Sequence, residues 1–254
     1  MKQIIYIIFL SSFSAVLLSA CSTPREFTAV EELERAELDA EELISMIPDY
    51  RNELQTITGS GRALVSEPGG SERVMLEFHS NRNESLMTVR NNVGIEGGQI
   101  YVDSDSLLIY NRVDRTAEKV PLHEGRLSSV GSIASINILD LINYTIEPGQ
   151  IDKIFEDRSY YYAILQNRTQ IKISKQNGTI VEVIHSTSLY DAPYSKIEYE
   201  GYDRIEGFHL PRRITIFSRD EASRATLLVQ RLQVNTELPE LAIVVPDNIP
   251  IQRL

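Results

Sequence analysis

Four histidines, His79, His123, His185 and His209, and a single cysteine, Cys21, are the residue types here best suited to hold a metal or act as a nucleophile. The histidines are far apart in sequence, and none falls in an HExxH or HxH spacing. Each reads as a polar strand or loop residue, and no metal site is expected. The chain has no GxSxG elbow, no SxxK, no phosphate-binding loop and no dinucleotide fingerprint, so no serine or glycine-rich turn is nominated for catalysis. Asp103 and Asp105, in Asp-Ser-Asp-Ser, offer alternating carboxylates to a calcium ion. Leu107 and Leu108 follow at once, where a calcium loop would need further oxygen donors, and a hairpin turn fits better. The expectation is a protein that is not an enzyme and needs no cofactor, with a hydrolase whose site is concealed as an alternative.

The cysteine has a different chemistry. It closes Leu18-Ser19-Ala20-Cys21, which follows one basic residue, Lys2, and an apolar run from Ile4 to Leu18. That run is short of the ~20 residues of a membrane span and reads as the core of a secretory signal. The four residues resemble the lipobox of bacterial lipoproteins, which implies removal of 1–20, a diacylglycerol thioether on Cys21, and an acylated (palmitate-type) amine at the new N terminus. Ser22 in place of aspartate resembles an outer-membrane sorting signal, with the domain facing the periplasm. With Cys21 lipidated, no disulfide and no thiolate site is open to the chain.

Composition agrees with a membrane-tethered domain that does not bind polyanions. The net charge of -11 becomes about -12 once Lys2 leaves with the signal, which excludes nucleic acid and argues against direct attraction to anionic headgroups. Attachment must then come from the acyl chains, since several together anchor stably. At 42% apolar and 24% charged, the 254-residue chain can bury one large core.

The elements follow from periodicity. Residues 21–27 are a polar tether, and 28–254 are expected to be one domain. A helix is expected from Thr28, with Glu31 at capping-box spacing, through Ala36, Ala40, Leu43, Ile44 and Ile47 to Pro48. Its other face, with Glu31, Glu32, Glu34, Glu37, Glu41 and Glu42, reads as solvated. From Leu54 the pattern shortens to segments rich in Ile, Val, Tyr and Thr between turn residues. Strands are expected over 54–65, with Gly59-Ser60-Gly61 as a bend, after Pro68-Gly69-Gly70, and over 85–89, 100–102, 107–110 and 118–120. More follow over 160–165, 170–174, 180–184, 196–202, 213–217 and 226–234, with Asn177-Gly178 read as a two-residue hairpin. Between the two sets, Val130, Ile133, Ala134, Ile138, Leu141 and Ile142 have helical spacing, and Ile136 and Leu139 make the segment apolar almost all round. It is expected as one helix buried against the sheet. Alternation places Val74, Leu76, Phe78, Met87 and Val89 on the covered face, where a slip of one residue would exchange each for its neighbour.

Val93-Gly94-Ile95-Glu96 and the following Ile100-Tyr101-Val102-Asp103-Ser104-Asp105-Ser106-Leu107-Leu108-Ile109-Tyr110-Asn111-Arg112 resemble the Gly-Ile-Glu turn and strand pair of bacterial lipoproteins similar to the Lol-pathway carrier and receptor (LolA/LolB-like). Val245-Pro246-Asp247-Asn248-Ile249 is similar to the carriers' last strand, and the resemblance runs from about Asp39 to the C terminus. It implies a mainly β (α+β) fold: an open antiparallel half-barrel of about ten or eleven strands, with two or three helices over its concave face. It also implies an apolar cavity that shelters acyl chains. Candidate lining residues are Val74, Leu76, Phe78, Met87, Val89, Ile138, Leu141 and Ile142, with an apolar loop at Val93 and Ile95. The residues themselves leave a filled core and a lipid-sized pocket both open. The expected function is an outer-membrane-anchored monomer binding lipid or acylated lipoprotein cargo. The alternative is a scaffold lipoprotein of an envelope assembly with a filled core.

Overall fold

A computed structural model describes residues 33–122, 129–186 and 194–253. Cys21, the signal and tether, and His123 lie outside the described residues. Two compact units are distinguished, Met1–Glu34 and Arg35–Leu254, and the second holds nearly all the described residues.

The dominant element is a sheet of fifteen strands in the order β1-β8-β9-β10-β11-β12-β15-β16-β2-β3-β4-β5-β6-β7-β17. The first run comprises β1 (Glu34–Arg35), β2 (Thr56–Glu67), β3 (Gly70–Asn81), β4 (Ser85–Arg90), β5 (Glu96–Val102), β6 (Ser106–Asn111) and β7 (Thr116–Pro121). The second comprises β8 (Ile151–Glu156), β9 (Tyr160–Leu165), β10 (Gln170–Ser174), β11 (Ile180–Ile184), β12 (Tyr194–Glu200), β15 (Arg213–Ser218) and β16 (Arg224–Val234). β13 (Asp203–Ile205) and β14 (Phe208–Leu210) form a separate hairpin, and β17 (Ile251–Arg253) is the last strand. Two meanders are thus joined where β16 pairs antiparallel with β2 over ten residue pairs, from Arg224↔Ser66 to Val234↔Ile57.

The strand count exceeds the expected ten or eleven. β1 and β17 are two and three residues long, too short to show alternation, and the β13–β14 turn depends on left-handed Glu206 and Gly207. β8, Ile-Asp-Lys-Ile-Phe-Glu, has no strict period of two. Asn177-Gly178 is not a two-residue turn: residues 175–179 connect β10 to β11, and only Gly178 of the pair is left-handed, at φ 70°. The Asn177 side chain instead accepts from the Thr179 N–H, at 3.2 Å. A Cβ at Gly178 would lie 1.9 Å from the Met46 carbonyl oxygen, so glycine is demanded by contact as well as by φ. Asp103 does make the expected hairpin turn, accepting from the N–H groups of Asp105 (2.8 Å) and Ser106 (2.7 Å).

Three short α-helices occur among the described residues, α1 (Ala40–Met46), α2 (Ser129–Ala134) and α3 (Ile138–Ile142), with one 3-10 turn at Pro148–Gln150. The expected helix from Thr28 to Ile47 is corrected over its described part, because 33–39 is not helical. Asp39 and Glu42 make a capping box at the start of α1, and the expected box of Thr28 and Glu31 lies outside the described residues. The single midway helix is likewise two helices. Asn137 interrupts it, its side-chain oxygen accepting from the N–H groups of Leu139 (2.9 Å) and Asp140 (3.4 Å) and so opening α3.

The helices pack with one face of the sheet around a core that includes Leu43, Ile47, Phe78, Leu139, Ile142, Ile171, Ile173, Val183, Ile197 and Ile214. Burying side chains of this kind contributes about 1.5–3 kcal/mol each. A small second core lies on the opposite face, where Ile249, Ile243 and Val245 cover Tyr110 and Ala117. The segment Val245–Ile249 is therefore a strap over the outer face and not a strand. The strand is β17, which runs parallel to β7, from Ile251↔Ala117 to Arg253↔Lys119.

Candidate functional site: an apolar space under the helices

Register decides which side chains share the inner face. Gly61↔Leu76, Ala63↔Val74 and Val65↔Glu72 pair β2 with β3. Leu76↔Val89 and Phe78↔Met87 pair β3 with β4, and Met87↔Ile100 pairs β4 with β5. On the other side of β2, Leu227 pairs with Ala63 and Ala225 with Val65. Two alanines thus stand among bulkier residues, which leaves room beneath the helices.

That room is a space of about 320 Å³. Its floor is Ala63, Val65, Val74, Leu76, Met87, Val89, Ile100, Ile216, Ala225 and Leu227, and its roof is Ile133 and Ala134 of α2, Ile136 of the connection, and Ile138 and Leu141 of α3. Among the described residues, Glu67 and Glu72 are the only charged side chains in the lining, and they stand at the β2–β3 end. Among the residues expected to line a cavity, Val74, Leu76, Met87, Val89, Ile138 and Leu141 come together here. Phe78 does not: it is fully buried, and its ring fills the place a Cβ at Gly59 would take, 2.4 Å from the ring Cζ. Ile142 faces the other way, beside Asn143, Tyr144 and Tyr202, onto a pocket of only about 20 Å³. Ala63 and Val65 of β2 were not anticipated although β2 is the hairpin partner of β3; Ile216, Ala225 and Leu227 were not, because they belong to strands far from β3 in sequence that only the β16–β2 pairing brings alongside.

A buried polar network fastens the start of α3 to the sheet. Ser80 and Ser85, both fully buried, face each other across β3 and β4 with hydroxyls 2.6 Å apart. The Ser80 hydroxyl donates to Asn137 Oδ1 (2.9 Å), and Asn137 Nδ2 donates to the Asn81 carbonyl (2.9 Å). Ser85 Oγ accepts from the Ile138 N–H at 3.0 Å, satisfying one of the free donors that open a helix. Beside them Arg82 donates to the Leu54 carbonyl (2.7 Å) and to Asp140 (3.2 Å). Burial raises the Asp140 carboxyl above its usual range, and Arg82 opposes that shift.

Two loops at the same end as Glu67 and Glu72 present apolar side chains to solvent. Asn91 organises the β4–β5 connection, its side chain accepting from the N–H groups of Val93 (3.1 Å) and Ile95 (3.0 Å), with Gly94 at φ 85°. Val93 is 78% exposed and Ile95 64%. The β6–β7 connection repeats the device: Asn111 accepts from the N–H groups of Val113 (2.9 Å) and Asp114 (3.0 Å), and Val113 is 77% exposed. Val113 was missed, although Asn91-Asn92-Val93 and Asn111-Arg112-Val113 share one Asn-x-Val pattern.

The histidines do not converge. His79 lies 3.2 Å from the Thr58 hydroxyl, His185 pairs with Thr169 and the Tyr194 ring, and His209 packs on Tyr202. Among the described residues no three His, Cys, Asp or Glu side chains are placed to hold a metal, and no helix is long and apolar enough to cross a membrane.

No family model matches the sequence, and no curated protein is significantly similar to it. Solved structures do match. A LolA superfamily protein from Nitrosomonas europaea superposes with a TM-score of 0.55 at 11% identity, over 80% of this chain and 96% of that one. A DUF1329 family protein from Desulfovibrio piger superposes with a TM-score of 0.50 at 11% identity, over 79% of this chain and 92% of that one. At such identities the likeness speaks for architecture alone, and the chain has the fold of the LolA superfamily.

Proposed function

We propose that this chain is a lipid-binding protein of the bacterial envelope, tethered to the outer membrane through an acylated Cys21, that shelters an acyl chain of a lipid or lipoprotein between its helices and sheet. The observation that carries this reading is the 320 Å³ space lined by apolar side chains, at the lower end of the range of about 300–1,000 Å³ found for small-ligand sites. Each methylene moved from water into it is worth about 0.8 kcal/mol. The fold shared with a LolA superfamily protein supports the reading. Exposed Val93, Ile95 and Val113 at the end where Glu67 and Glu72 stand supply an apolar surface that meets the membrane or the cargo while the acyl chain moves. The reading assigns no catalytic residue: the acyl chain is held by burial alone, and no bond is made or broken.

The test is uptake of a fluorescent fatty acid by the full chain, read by titration and by native mass spectrometry. Binding of one probe per chain, displaced by unlabelled acyl chains, is expected. Absence of bound probe in both measurements would sink the proposal.

A further inference from the structure

The face of the sheet turned away from the helices carries a second feature, independent of the apolar space. Across five neighbouring strands, direct cross-strand partners read Arg213↔Leu228↔Arg62↔Met75↔Arg90, alternating cation and apolar side chain. The next row reads Thr215↔Thr226↔Leu64↔Arg73, and Arg224 lies opposite Phe217. All of these side chains except Arg90 line a groove of about 750 Å³, with Glu198 and Glu200 at its β12 side. The two outer cations of the first row are neutralised, Arg213 by Glu200 (3.1 Å) and Arg90 by Glu77 (3.1 Å). Arg62, Arg73 and Arg224 are exposed and have no ion pair or hydrogen bond among the described residues. Leu228 between them is 45% exposed.

Three unpaired guanidinium groups around an apolar floor stand out on a chain whose net charge is -11. On a net-negative chain an acidic partner is disfavoured by the overall field and favoured at a groove that carries unpaired cations. Adjacent strands are about 4.8 Å apart, and a helix presents one face about every 5.4 Å along its axis. A helix laid across the strands therefore meets successive strands with residues at i, i+3 or i+4, and i+7. We infer that this groove docks an acidic amphipathic helix of a protein partner, its carboxylates on Arg62, Arg73 and Arg224 and its apolar residues on Leu228 and Met75. Arginine suits the role because its planar fork engages a carboxylate bidentately. A single phosphate would need the three cations to converge, and here apolar residues separate them.

The test is a photo-crosslinking residue in place of Leu228 in the full chain, in the cells that produce it, with the crosslinked segment mapped by mass spectrometry. The expected product is a protein segment with Asp or Glu and apolar residues at helical spacing. The triple variant Arg62→Glu, Arg73→Glu, Arg224→Glu should lower its yield at least tenfold while uptake of a fatty-acid probe is unchanged. Reversing the mapped acidic residues to lysine should restore crosslinking to that variant. The inference is overturned by no crosslink, by crosslinks to lipid, to a second copy of the chain or to a segment without acidic residues, or by crosslinking that survives the charge reversal.

Discussion

Replacing Ala63 by phenylalanine distinguishes an apolar space from a packed core. Ala63 is nearly buried, 7% exposed, with Val74 and Leu227 as its cross-strand neighbours and its methyl group on the floor of the 320 Å³ space. In a filled core the added ring would force its neighbours from their rotamers and cost about 1–3 kcal/mol. Here it enters free volume, so the urea midpoint of unfolding should stay close to that of the parent chain. The ring takes volume from the acyl chain. If it displaces about three methylenes at ~0.8 kcal/mol each, binding weakens by ~2.4 kcal/mol, roughly fifty-fold. Fatty-acid titration and urea unfolding on the same preparation give both numbers. A variant that loses 1–3 kcal/mol of stability and binds the probe as tightly as the parent would refute the reasoning.

Three further outcomes are expected. Asn137→Ala removes the α3 cap and the bonds the amide makes to Ser80 and to the Asn81 carbonyl, and the loss should cost about 1–3 kcal/mol in urea unfolding. Gly178→Ala should destabilise by well over ~1 kcal/mol, since it adds the 1.9 Å contact with the Met46 carbonyl to the left-handed φ, and a midpoint equal to the parent's would contradict that geometry. Burial lowers the His185 pKa below its ordinary 6.5. The unfolded chain then binds the proton first on acidification, so the stability this residue contributes is full above pH 6.5 and is lost as pH falls toward the folded value. Urea midpoints from pH 7.5 to 5 should fall more for the parent than for His185→Asn, and equal slopes would show that the imidazole is not protected.

Much of the architecture was legible because it rests on local rules. The β3 alternation Val74, Leu76, Phe78 against Arg73, Glu77, His79 set the inner face, and Asp103 set its own turn through bonds to residues two and three positions on. The errors have local causes too. A hydrophobic period over Val130–Ile142 looks continuous on paper, and Asn137 breaks it only because Ser80, Ser85 and Asn81 stand ready to hold its side chain and the start of α3. The expected helix starting at Thr28 failed over 33–39 because Asp39 and Glu42 cap each other.

By itself the sequence determined a mainly β chain with an apolar inner face, hairpin turns and a lone cysteine in a lipidation-like setting. Only the tertiary structure decided that the inner face is incompletely filled, and that Arg62, Arg73 and Arg224 share one groove on the outer one. Both depend on β16 pairing with β2 across more than 150 residues of chain. Periodicity reports which side of its own strand a residue occupies, and it carries no information on which distant strand will lie beside it.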